Sequence, residues 1–194
     1  VVAAQLGEEA ISSSLKAGAI GLAIVFVFMC MVYLLPGLAS SLALVIYTGL
    51  ILVLLNAFDI TLTLPGIAGI ILGIGMAVDA NVIIFARVKE ELTAGKSVKS
   101  ALNAGFHKAM SAILDGNITT LIAAAVLWLK GSGTVKGFAQ TLALGIVVSM
   151  FTALVITRMI VYAFYAVGIR NTKLYGRIKE ESAPIDFLGK RKIF

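Results

Sequence analysis

Two carboxylic acids, Asp79 and Asp115, stand inside otherwise apolar runs of this chain. An ionised carboxylate in the hydrocarbon core of a bilayer costs at least about 2.5 kcal/mol on the most lenient insertion scale. Acids kept there mark ion or proton paths, or else hold helices together through hydrogen bonds. Asp79 comes eight residues before Arg87, and Asp115 seven residues after Lys108. At the rise of an α-helix, each acid lies about 10–12 Å inside the same membrane face. On consecutive antiparallel helices the two acids come out at matching depth, where they can share a proton or a common donor. This chemistry requires Asp79 to be shielded between tightly apposed helices; a side chain pointing outward into lipid would not perform it.

Further polar residues fall at the same level. Asn81 and Asn117 each follow an acid by two residues, and Thr119 and Thr120 come two and three residues after Asn117. Ser111, Asp115 and Thr119 recur at helical spacing, as do Thr141, Gly145, Ser149 and Thr152. These are read as support for the acids, or equally as hydrogen bonds between helices. Gly69, Gly73 and Gly75 are expected to allow close helix packing, with Ala68, Gly69, Leu72, Gly75, Met76 and Asp79 read as one face. His107 reads as a solvated loop residue, and Trp128 and Tyr33 as interface anchors. AGKS at 94–97 is not a phosphate loop, because Glu90 stands where the first glycine belongs. No catalytic constellation, metal-ligand set or cofactor motif is found, so the chain is expected to be neither an enzyme nor a metalloprotein.

The elements that must position these residues follow from composition. The chain is 60% hydrophobic and 13% charged, with mean hydropathy +1.03, which excludes a soluble globular domain. The prediction is an all-α integral membrane bundle of five transmembrane helices. They are placed at about 15–35, 38–56, 64–86, 109–129 and 137–167. Residues 1–14 are read as the end of an extracytoplasmic region. Residues 87–108 form a basic cytoplasmic loop, in which a short helix opening at Ser97 lies at headgroup level and feeds into the fourth span. Residues 168–194 form a basic cytoplasmic tail. Pro36-Gly37 is read as the first tight turn, and Pro65 as opening the third span. Thirteen lysines and arginines fall on one face and Lys16, Lys130 and Lys136 on the other. This asymmetry predicts an outside N-terminus and a cytoplasmic C-terminus. The basic residues orient a membrane protein rather than bind nucleic acid. The start, VVAAQLGEEA, has neither an initiator methionine nor a signal peptide and reads as a piece of something longer. The single cysteine, Cys30, says nothing about redox compartment.

GIGMAVDANVIIFARVKEEL (73–92), LDGNITT (114–120) and GTVKGFAQTLALGIVVSMFTALVITR (133–158) closely resemble the membrane half of the SecD/SecF protein-export family, within the resistance–nodulation–division superfamily. The resemblance is dense over 63–167 and looser over the first two spans. IDFLGKRKIF (185–194) resembles the opening of a SecF half, as in a fused SecDF chain. What the resemblance implies is an accessory role in Sec export in the prokaryotic cytoplasmic membrane, coupling the proton-motive force to preprotein movement through SecYEG. The DAN-motif acid, here Asp79, would be the relay residue, with a matching acid and an arginine in SecF. Membrane lipid is the surrounding solvent, and no cofactor is implied. Ala86 stands where an acid is expected before Arg87, and Gly116 replaces the usual alanine. Two other readings remain open: a proton-driven exporter of lipids or drugs from the same superfamily, and a structural membrane scaffold.

Overall fold

Apolar runs of this length can satisfy their backbone groups in lipid only by coiling, and five long helices result. The structure is a computed structural model that describes residues 2–175, with side chains for 8–172, 174 and 175. The helices are α1 (Val2–Tyr33), α2 (Leu35–Ala57), α3 (Leu64–Thr93), α4 (Val98–Lys130) and α5 (Thr134–Phe151). A π-helical stretch, Thr152–Thr157, carries α5 without a break into α6 (Arg158–Ala166), and a short α7 (Thr172–Tyr175) follows. The basic residues from Arg177 onward and the SecF-like segment 185–194 lie outside the described residues.

Helix boundaries differ from the expected span boundaries in two places. The first turn is Leu34 alone, at φ 53°. Pro36 and Gly37 belong to the first turn of α2, where proline's missing N–H costs nothing. Gly37 lies against the Met29 carbonyl, and a Cβ there would strike it, so the reversal requires glycine. The stretch 87–108 is mostly helix, with only 94–97 as a turn. ARVKEEL consists largely of good helix formers, so α3 continues past the end of its apolar run. The helix expected to open at Ser97 and feed into the fourth span does so, with Ser97 as its N-cap. It is the start of α4, whose 33 residues run about 50 Å.

α3 is the central element and packs most extensively on α5 and α4, while α1 rests mainly on α2 and α3. Its entry is fixed by Thr63, whose hydroxyl accepts from Gly66 N at 3.1 Å. Gly69 faces Thr141, and a Cβ at Gly73 would lie 2.5 Å from the Tyr47 hydroxyl and 3.4 Å from the Gly145 Cα. The α3–α5 crossing therefore depends on paired glycines capped by one buried tyrosine. Farther along, Gly105 of α4 sits on Val88, whose backbone N would be 2.8 Å from an added Cβ. Glu91, 4% exposed, pairs with Lys96 at 2.5 Å and with Lys108. One carboxylate thus ties the turn and α4 to the end of α3.

Candidate functional site

The Gly105–Val88 contact sets the register of the antiparallel α3–α4 pair. Asp79 lies nine residues before Val88 and Asp115 ten residues after Gly105. Their depths therefore agree to within about one residue's rise, or 1.5 Å. Shielding is a different matter. Both Asp79 and Asp115 are exposed on the surface of this chain, and no hydrogen bond or ion pair involves either carboxylate among the described residues. The expectation that helices of this chain enclose Asp79 is corrected. α3 turns its glycine face to α5 and leaves the opposite side uncovered.

The asparagines do not support the acids, for a simple geometric reason. Two residues along an α-helix turn the side chain by about 200°. Asn81 is consequently buried at 3% exposure while Asp79 is outside, and Asn117 is buried while Asp115 is outside. Asn117 Nδ2 donates to the Ile113 carbonyl at 2.7 Å. The Asn81 Oδ1 is buried without a partner among the described residues, as are the hydroxyls of Tyr47 and Thr157.

The hydroxyl residues bond within their own helices rather than across to neighbours. Ser149 donates to the Ile146 carbonyl at 2.8 Å and Thr152 to the Ser149 carbonyl at 3.0 Å. Both are buried in the bundle, away from the acids. Thr119 donates to the Asp115 carbonyl at 2.9 Å and Thr120 to the Gly116 carbonyl at 3.0 Å. Gly75 differs from Gly69 and Gly73: nothing among the described residues lies within 4 Å of a Cβ placed on it, so it closes no contact among them. Instead Leu72, Gly75, Asp79 and Ala86 form an exposed stripe on α3 at helical spacing. A small residue on either side of the acid leaves the backbone open to close approach. No group of three or more metal-ligating side chains occurs among the described residues.

Sequence reasoning missed three features: Tyr47 at the glycine crossing, the Glu91 clip, and the π-helical stretch. A tyrosine in mid-span was the one available signal, since its hydroxyl is costly to bury in an apolar environment.

Comparison with known proteins gives the family. The family described as "Protein export membrane protein SecD/SecF, C-terminal" matches residues 1–167. The protein translocase subunit SecD of Acidaminococcus fermentans is 54% identical over 168 residues, covering 87% of this chain and 40% of the relative. That of Synechocystis sp. is 56% identical over 157 residues, covering 81% and 33%. The chain therefore spans less than half the length of these relatives. The crystal structure of SecDF from Thermus thermophilus superimposes with a TM-score of 0.82 at 42% identity, covering 84% of this chain and 23% of that one. With five helices long and apolar enough to cross a membrane, and a family match over most of its length, this chain belongs to the SecD/SecF family of protein export membrane proteins.

Proposed function

We propose that this chain is the membrane half of a SecD-type subunit in the prokaryotic cytoplasmic membrane. There it assists preprotein movement through SecYEG together with SecF or a fused SecF half. The proton gradient is the energy source, Asp79 is the group that carries the proton, and no cofactor or catalytic step is involved. The orientation has the N-terminus outside and the C-terminus in the cytoplasm.

The observation that carries this reading is the position of Asp79. It lies within an apolar run, on a side of α3 that none of the described residues covers, between the small residues Gly75 and Ala86. A carboxylate left facing lipid at that depth is unfavourable, so the stripe calls for a protein partner. The chain supplies less than half of its relatives' length, and a second transmembrane half is the natural cover. A carboxyl enclosed between two halves is pushed toward the protonated form by desolvation and toward the ionised form by a nearby cation. Movement of one half against the other would load and release a proton. Each charge crossing 100 mV supplies about 2.3 kcal/mol, and each pH unit about 1.4 kcal/mol. A few such steps suffice to bias a two-state motion.

Preprotein translocation by the complete complex in vesicles, with and without a protonophore, tests this reading. Wild type is expected to slow when the gradient is collapsed. Asp79→Asn is expected to run at that slow rate whether or not a gradient is present. An Asp79→Asn complex that assembles and still responds to the gradient would refute the reading. Failure of Asp79→Asn to assemble at all would favour a scaffold role instead.

A further inference from the structure

At the membrane rim where α4 begins and α6 follows the π-helical stretch, a cavity of about 630 Å³ opens between Ser97, Lys99, Ser100, Asn103, Arg158 and Tyr162. Its depth is fixed from both helices. Arg158 is the first charged residue after the apolar segment 137–157, and Ser97 to Asn103 precede the apolar segment 109–129. The 21 uncharged residues before Arg158 cover about 31 Å, the thickness of the hydrocarbon core. The lining therefore lies at headgroup level.

Among the described residues the lining carries two cations and no carboxylate. The Arg158 guanidinium sits 5.7 Å from the ring centres of both Phe106 and Tyr162, within range of a cation–π contact. Its one hydrogen bond among the described residues is long, from Nη2 to Asn103 Oδ1 at 3.5 Å. Neither Arg158 nor Lys99 forms an ion pair among the described residues. Two rings and an amide hold the guanidinium in place while most of its donors have no partner among the described residues. A planar fork so placed matches a phosphate oxygen pair, with Lys99 as a second positive charge. The Ser97 and Ser100 hydroxyls add short-range donors.

We propose that this cavity binds a phosphate group, and that its place at the membrane rim makes an anionic phospholipid headgroup the occupant. The same chemistry would accept free phosphate. Native mass spectrometry of the purified full-length protein separates the two sources, with phosphatidylglycerol, phosphatidylcholine and inorganic phosphate as probes. Wild type is expected to retain phosphatidylglycerol in preference to phosphatidylcholine, and millimolar inorganic phosphate is expected not to displace it. Arg158→Gln and Lys99→Gln are each expected to lower phosphatidylglycerol retention about fivefold. Lys130→Gln, at the opposite rim, is expected to leave retention unchanged. Arg158→Lys, which keeps the charge but loses the fork, should fall between wild type and Arg158→Gln. Equal retention by wild type and Lys99→Gln, an exposed position whose change does not threaten folding, would overturn the site even if Arg158→Gln misfolds. Displacement by inorganic phosphate would overturn the lipid assignment.

Discussion

Asp79 and Asn81 stand on opposite sides of one helical turn, and their surroundings make opposite demands. Asp79 is exposed on this chain, whereas Asn81 is enclosed with its amide oxygen unpartnered. A buried polar atom without a partner costs about 1–3 kcal/mol, while an apolar group of the same shape avoids that cost. Asn81→Leu is therefore expected to leave thermal stability unchanged or raise it in the purified full-length protein. A clear fall in melting temperature would show that the amide has a partner in the complete assembly. Asp115 has the depth of Asp79 but not its setting. Its neighbour Thr119 bonds only the Asp115 backbone carbonyl, so the case for Asp115 as a proton carrier rests on depth alone.

Among the elements, the glycines of α3 divide into two sets with different consequences. Gly73 closes the crossing with α5, where a Cβ would press on the Tyr47 hydroxyl and the Gly145 backbone. Gly73→Ala is expected to destabilise by about 1–3 kcal/mol through overpacking, read as a lowered melting temperature. Gly75 touches nothing among the described residues. Gly75→Leu is expected to leave the fold intact and to weaken attachment of the second transmembrane half, measured by co-purification of the two halves expressed separately. Intact co-purification would show that the α3 stripe is not the docking surface.

These elements also show what sequence can and cannot reveal. Hydropathy reports where lipid begins and ends, so five spans were legible, as was the opening of α3 at Pro65. It is silent on helix that continues into water, and the extension of α3 from Arg87 to Thr93 was read as loop. The rotation that separates Asn81 from Asp79 was implicit in a spacing of two residues. Which side of α3 meets α5 was not, because Gly69, Gly73 and Gly75 look alike until Thr141 is brought against Gly69, and Tyr47 and Gly145 against Gly73. The Glu91 clip was illegible for a similar reason: one glutamate in a charged segment becomes distinct only when Lys96 and Lys108 converge on it.

For the molecule as a whole, the uneven covering of the bundle matters most. α3 is packed on one side and bare on the other, and α1 shows Ile20, Ile24 and Met31 at 61%, 64% and 69% exposure. Such surfaces belong against lipid or against further transmembrane helices. The charge asymmetry sets how the whole is threaded. In a Cys30→Ala background, a membrane-impermeant thiol reagent applied to intact cells is expected to label Ser132→Cys and to spare Ser97→Cys. The reverse pattern would invert the topology and place the Arg158 cavity on the outer face.

The claim on which the rest depends is that Asp79 gains and loses a proton inside the assembled membrane domain. Infrared difference spectroscopy of the full-length complex, stepped between acidic and alkaline pH, reads this directly. The expected result is a protonated-carboxyl band that appears on acidification and is missing in Asp79→Asn. An identical band in Asp79→Asn, in a complex that assembles normally, would contradict the account.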